Sequence, residues 1–519
     1  MSTRPATPSL NPRFSRAKCY TLYAALSVLI LFIHGYHPFA SDAGLYVAGI
    51  RRTLDPSLYP VNAAFVAVFT HHSIFAVVLA SLVRLTHLPL AWILLIAHLA
   101  SLWLFLCACG ALAARLFASE FAGSCAALLA AACCTLPVAG TALVLMDPYV
   151  TARSFSTPLG LFAVATCLDR AWLRTAILLL CAALVHPLMG AYAAAFVAVL
   201  ALIACGRARD AVLLCCAAGI MAAVVCEVTR NAPVSAAYRE AVLLPQRSFL
   251  FLARWHWYEL LGLVLPLLLF GSATQKYAAS THTGAVCRSS VAIGVTSILI
   301  AALFVSPSGP YQLVPLQVLR SFHIIYLVGV VLCGGILASI ATLSRYAAAA
   351  LLLLIAGFMF QVEHASWPGG DRIEWPNYPP ANLYEQAFLW IRGNTPRDAV
   401  FAFDPQTVYN PRETEQGFRA LAERDHLADD KDAGVVAVVP SLAGRWALQR
   451  NSQFFVDSMT DAQRFAALAP LGATWLLLPP TAQTSLPCPF HNGAVQVCRL
   501  VPPLAPTPRP KANGPGLLT

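Results

Sequence analysis

The chain has 519 residues, 58% of them hydrophobic and only 11% charged, and a net charge of +10. Soluble domains average about 25% charged residues, so a single soluble globule is excluded; a disordered chain, which needs low hydrophobicity and high charge, is excluded too. With a mean hydropathy of +0.67 and no internal repeat, the composition is that of a polytopic helical membrane protein.

Charge is unevenly placed. Residues 1–362 carry +12 and residues 363–519 carry −2. The basic residues of the first part sit singly or in pairs between apolar runs, which is how cytoplasmic loops read under the positive-inside rule. Nucleic-acid binding would gather them on one face, and no nucleic-acid partner is expected.

The N-terminal stretch carries Arg4, Arg13, Arg16 and Lys18, and an apolar run follows from Tyr20 to Gly35 with no small-residue cleavage site. This predicts an uncleaved first helix with its N-terminus in the cytoplasm. A polar stretch runs from His37 to His72, and Ile74–Leu85 is apolar but short and carries Arg84, which predicts an interfacial helix on the outer side. Spans are then expected at Leu90–Leu112, Ala122–Met146, Thr157–Cys167, Thr175–Val185 and Ala191–Cys205, the last two broken at His186-Pro187. Further spans are expected at Ala211–Val228, Leu260–Phe270, Val291–Val305, Ser321–Leu343 and Tyr346–Phe360. The total is about eleven, several of them shorter than the roughly 20 residues that cross a bilayer core. An odd number leaves the C-terminal region outside, and Arg115, Arg170, Arg207, Lys276 and Arg345 mark the inner ends.

From residue 362 the chain becomes more charged. The expected organisation is a transmembrane domain over 1–361, a small extracytoplasmic α/β domain over 362–505, and a Pro-rich disordered tail over 506–519. In the α/β part, helices are predicted at Leu383–Arg392 and Thr414–Ala428, and strands at Ala399–Phe403, Thr474–Leu478 and Val495–Leu500. There is no phosphate loop, dinucleotide fingerprint or nucleophile elbow. Of the 16 Cys, those from Cys19 to Cys333 lie mostly in apolar segments and read as packing residues. Cys488 and Cys498 flank a Pro-Phe-His-Asn-Gly turn, and a hairpin disulfide is expected there if this part lies outside the cytoplasm.

Two acidic residues directly follow outward helices: Asp42 in the first outer loop and Asp147 in the second. Acids at the membrane face of a bundle are costly and often functional; the alternatives are a solvated carboxylate or a helix N-cap. Arg153, Arg247, Arg254, His256 and Arg320 gather on the same outer side, against the positive-inside rule, so each Arg calls for a fixed anion: a lipid phosphate, or Asp147, Glu240 or Glu259. The other reading is an interface anchor in an aromatic belt. His186 is either a structural hydrogen-bonder or a substrate contact. His34, His37, His71 and His72 lack the three-ligand spacing of a zinc site.

The layout resembles the GT-C superfamily of polytopic glycosyltransferases, which use polyprenyl-phosphate sugars. The resemblance is carried by Asp42 in the first outer loop, Ile74–Leu85 as the interfacial helix, Asp147 after the third span, and Trp390-Ile-Arg-Gly-Asn-Thr-Pro-Arg-Asp-Ala-Val-Phe-Ala-Phe-Asp-Pro opening the outer domain, as in bacterial members of uncharacterised type. The resemblance implies a multi-pass enzyme of the bacterial inner membrane. It would transfer a hexose or pentose, with inversion, from the lipid donor to a glycan, lipid or protein acceptor on the outer face. By the same implication Asp42 is general base or ligand of a divalent metal (Mg or Mn), Asp147 supports acceptor or metal, and Arg320 with Arg254 or His256 holds the phosphate. Asp42 is followed by Ala43 and Gly44 rather than a second acid, a departure from a paired-acid metal site. The competing class is a non-enzymatic lipid-linked glycan binder, flippase or transporter; transporters need mid-depth ionisable groups and often inverted repeats, which the spans lack.

Overall fold

The computed structural model describes residues 16–230, 233–407 and 417–502. Arg4, Arg13 and the expected tail 506–519 lie outside the described residues. The membrane part is built from helices α1 (Arg16–His34), α2 (Ser41–Leu54), α3 (Ala63–His71), α4 (Phe75–Thr86), α5 (Leu90–Phe117), α6 (Glu120–Ala132), α7 (Ala152–Leu168), α8 (Trp172–Val185), α9 (Pro187–Ala204), α10 (Ala208–Val228), α11 (Ala236–Leu243), α12 (Trp257–Lys276), α13 (His282–Phe304), α14 (Phe322–Leu343) and α15 (Arg345–Ser366). Among the described residues, seven helical segments are long and apolar enough to cross a membrane: α5, α9, α10, α12, α13, α15 and α14 with the two short turns that precede it. This is a multi-pass helical membrane protein. α1, α6 and α8 are apolar but shorter.

Several expected segments take a different shape. The predicted interfacial helix is α4, but it continues from α3 through a 90° bend. The polar stretch before it, read as loop, contains α2 and α3. The span expected over Ala122–Met146 is helical only to Ala132; residues 133–151 fold back as a loop, tied by a bridge between Pro137 and Val144 and by Met146 N–H donating to the Cys134 carbonyl at 2.9 Å. α7 begins at Ala152, earlier than the apolar run alone predicts, because Thr151 and Ser154 form a capping box there. The break at His186-Pro187 falls between α8 and α9: Pro187 has no N–H and forces the preceding residue out of helical geometry, and His186 is extended (φ −146°, ψ 97°). α15 runs on to Ser366, so the change in composition at 362 falls inside a helix.

The C-terminal domain adds α16 (Leu383–Asn394), β1 (Val400–Ala402), α17 (Phe418–Ala422), β2 (Asp425–His426), α18 (Ala433–Val438), α19 (Ala443–Gln453), α20 (Asp461–Leu468), β3 (Trp475–Leu478), β4 (Phe490–His491) and β5 (Gln496–Arg499). The strands form one sheet in the order β2-β1-β3-β5-β4, parallel among β2, β1 and β3 and antiparallel among β3, β5 and β4. The helix expected over Thr414–Ala428 is instead the short α17 followed by β2; residues 414–416 lie outside the described residues. The reason is Glu423, in left-handed geometry (φ 50°), which ends α17 and turns the chain into the sheet edge.

This domain is docked onto α2 and the loop after it. A Cβ on Gly44 would lie 2.6 Å from the Gly417 Cα, so only glycine allows the two backbones to approach this closely. Gly417 N–H donates to the Phe39 carbonyl at 2.8 Å. The Tyr59 hydroxyl donates to the Arg419 carbonyl at 2.8 Å, and Asp425 accepts from the backbone N–H groups of Val61 and Asn62 at 2.8 and 2.7 Å.

Candidate functional site

The docked domain and the membrane part meet around Asp42. The Ser41–Leu54 helix carries Asp42 in its first turn, where a carboxylate suits the positive helix end. The loop 133–151 brings in Asp147, and the capping box at Thr151 starts α7 so that Arg153 stands in its first turn. Arg153 grips Asp147 with one guanidinium edge, Nη2 at 2.7 and 2.9 Å and Nε at 3.2 Å, and both side chains are buried. The same Nη2 is 3.8 Å from the Asp42 carboxylate. On its other oxygen Asp42 accepts from Lys431 Nζ at 3.0 Å, and that ammonium also donates to Ser41 Oγ at 3.2 Å.

Arg320 completes the cluster. It precedes α14, lies over the Phe249 ring at 5.0 Å, and its Nε is buried without a hydrogen-bond partner among the described residues. Its charge acts on Asp42 together with those of Lys431 and Arg153. Among the described residues, Lys431, Arg153 and Arg320 all act on Asp42, and Arg153 and Arg320 act on Asp147 as well. Among the described residues, the buried hydroxyls of Ser156 and Thr157 in α7 also lack hydrogen-bond partners. A buried polar group left unpaired is costly, so the arrangement is suited to a polar, anionic ligand.

Electrostatics push the two acids apart. For Asp42, burial works against the ionised form, but Lys431, Arg153 and Arg320 outweigh it and hold the carboxyl well below the usual carboxylate range. For Asp147, burial dominates and moves the carboxyl upward despite the pull of Arg153. Pairs of acids separated in this way can divide proton-holding and charge-stabilising work between them.

The expected divalent metal finds a poor donor set. Both carboxylates are already ion-paired, and among the described residues no group of three or more His, Cys, Asp or Glu side chains is placed to hold a metal ion.

Of the other sequence candidates, His186 lies close enough for Arg153, Arg320 and Asp42 to act on it, and burial moves its imidazole down to about 3, so it is neutral. Its Nδ1 accepts from Met189 N–H at 3.4 Å, which makes it the N-cap of α9. Arg254 and His256 do not join the cluster. Arg254 donates to the Leu243 carbonyl at 2.8 Å and lies over Phe251, while His256 caps α12 with Glu259 and stacks on Tyr258. Their basic, aromatic stretch satisfies its own loop instead. Arg247, from the same stretch, donates to the Lys431 carbonyl at 2.9 Å. Glu240 pairs with Arg450 at 3.1 Å rather than with any of these arginines. His34 bonds Thr135 and the Ala131 carbonyl, and His37 bonds Glu374 at 2.7 Å. Cys488 and Cys498 form a disulfide across the β4–β5 hairpin.

Lys431 was not legible as a site residue. It stands in Asp429-Asp430-Lys431-Asp432, and its signal is weak: one cation inside an acidic loop. No family model matches the chain, and no curated protein matches it.

Proposed function

We propose that the protein is a GT-C-like membrane glycosyltransferase that moves a sugar from a polyprenyl-phosphate donor to an acceptor hydroxyl on the outer face of the membrane, with the C-terminal domain outside the cytoplasm. The observation that carries this reading is a carboxylate about a third open to solvent, Asp42 (side chain 36% exposed), set beside the positive charges of Arg153, Lys431 and Arg320. Glycosyl transfer from a lipid phosphate needs both parts: a base for the acceptor proton and cations for the leaving phosphate. In this reading the acceptor oxygen attacks the anomeric carbon and its proton passes to Asp42. The bond from that carbon to the phosphate oxygen breaks, and the departing charge is met by Arg320 and Arg153. Asp147 keeps Arg153 aimed, since a bidentate pair fixes the guanidinium plane. No step is assigned to a metal.

A second reading is a binder of lipid-linked glycan without transfer. It is favoured by an apolar cavity of about 1,070 Å³ among the spans, lined by Leu269, Phe270, Tyr326, Cys333, Leu354 and Phe358. Polyprenyl chains have matching chemistry.

The two readings separate in one assay. Membranes containing the wild type or Asp42→Asn are supplied with radiolabelled polyprenyl-phosphate sugars. Transfer is expected from the wild type and should fall by at least about 10²-fold in the variant, the scale of a general acid–base contribution, with the variant still folded. Saturable lipid binding with no turnover from any donor would favour the binder instead.

A further inference from the structure

The helix that carries Asp42 also carries Tyr46. The two lie four residues apart on α2, so they stand one turn apart on the same face. The Tyr46 ring is wedged at the 90° bend between α3 and α4, edge-on to Phe69 and Phe75 with centroids 5.0 and 5.6 Å away. It packs in the same apolar cluster as Val150 and Ala152, the neighbours of Thr151 where α7 begins. The ring is thereby fixed between the turn that bears Asp42 and the turn that bears Arg153. Tyr46 is half-buried, and its hydroxyl lies within range of the charges of Arg153, Asp42, Arg320 and Asp147. Burial pushes the phenol up to about 12, against the pull of the two arginines. Near neutral pH it keeps its proton and stands in the charged cluster as a neutral donor.

We propose that Tyr46 is a further catalytic residue, whose hydroxyl donates a hydrogen bond to the lipid phosphate that Arg153 and Arg320 attract. This rests on the transferase reading. The guanidiniums supply charge; the phenol adds one directed donor on a ring with only two torsions, both restrained by its packing. A hydrogen bond to an ionised oxygen is about twice as strong as one between neutral groups, and it strengthens as charge builds on the acceptor. When the bond from the anomeric carbon to the phosphate oxygen breaks, its electron pair goes to that oxygen. The acceptor's proton goes to Asp42. Tyr46 keeps its own proton, because a phenol holds it more tightly than a phosphate monoester, whose second pKa is about 6. Its share is therefore charge stabilisation, not acid catalysis. Because Tyr46 and Asp42 stand on one helical face, the donor to the leaving group and the base for the acceptor are held at a fixed spacing, and seating the phosphate aligns the anomeric carbon with the base.

The test uses the full chain in lipid nanodiscs with two probes: polyprenyl phosphate, which is the departing group, and radiolabelled polyprenyl-phosphate sugars. Tyr46→Phe removes one oxygen and leaves the ring against Phe69 and Phe75. Thermal unfolding checks that the variant is folded, and Tyr46→Leu stands in if it is not. Affinity for polyprenyl phosphate should fall at least about tenfold, the loss of one hydrogen bond to a charged group. The kcat of transfer should fall as well, since the bond strengthens while the phosphate departs. Equal affinity for polyprenyl phosphate in the folded variant overturns the proposal and leaves the transferase reading standing. Weakened binding in the variant, with no turnover of any donor by the wild type, keeps the phosphate contact but overturns its catalytic role together with the transferase reading. No binding of polyprenyl phosphate by the wild type overturns the proposal, and wild-type transfer then decides the transferase reading on its own.

Discussion

Asp42 and Asp147 share Arg153, yet their carboxyls move in opposite directions because one is met by three cations and the other is sealed with a single partner. Side-chain identity says nothing of this; the surroundings decide it. Asp457 in the C-terminal domain offers a clean check of the same physics away from the site. Among the described residues its Oδ1 is buried without a hydrogen-bond partner, and burial, with the Asp404 charge nearby, moves its carboxyl up to about 6. The folded value lies above the unfolded one of about 3.9. Between the two the folded chain holds more protons than the unfolded chain, so this residue's contribution to stability is full at low pH and is lost as pH rises through about 6. Asp457→Asn should therefore raise the unfolding temperature at pH 7, and the gain should shrink towards zero as pH falls to about 4. Melting curves of both proteins across that range decide it; an equal gain at every pH would refute the assignment.

At the level of elements, the apolar runs located the long helices of the membrane part but not α2, α3 or the end of α6, because a helix in lipid must satisfy its backbone internally and show apolar side chains all round, whereas these pack against protein. They were not enough to show how the helices touch. Helix α14 lies so close to α6 that a Cβ on Gly334 would come within 2.4 Å of the Ala126 Cα, whereas a Cβ on Gly357 of α15 meets nothing within 4 Å. Small residues at such crossings let backbones approach. Gly334→Ala should overpack the crossing at a cost of about 1–3 kcal/mol, while Gly357→Ala should be neutral or slightly stabilising through helix propensity. Unfolding temperatures in detergent, with the two variants measured side by side, test the contrast; equal effects would place the close contact elsewhere. The helix misread at Thr414–Ala428 and the span overextended to Met146 share one cause. In both, the chain reverses after a helix too short for its apolar run to show where it ends, and the reversal is set by tertiary partners: the sheet edge for Asp425 and the Cys134 carbonyl for Met146.

At the scale of the whole molecule, buried charge joins the two parts. Arg419 is almost fully buried; it donates to Asp432 at 2.9 and 3.1 Å and lies 3.4 Å from Asp425, which in turn holds the backbone of Val61 and Asn62. Removing one partner of a buried pair leaves an uncompensated charge at a cost of about 3–5 kcal/mol. Arg419→Met should release the C-terminal domain from α2, lower the unfolding temperature and open residues 425–432 to protease. Limited proteolysis of the purified protein measures this directly, and a protected segment at an unchanged unfolding temperature would show that the docking rests on other contacts.

Amino-acid order alone determined that this chain is a helical membrane protein with a small mixed α/β domain at its end, because apolar length and strand alternation are local properties that survive without knowledge of neighbours. It also singled out Asp42, Asp147, Arg153 and Arg320, since charge beside an apolar run is conspicuous. Only the tertiary structure could bring Lys431 to within 3.0 Å of Asp42 across 389 positions of sequence and turn Arg254 and His256 away to their own loop. Those outcomes depend on a glycine-to-glycine approach and on buried ion pairs between distant segments, and such long-range contacts leave no periodicity for a sequence to show.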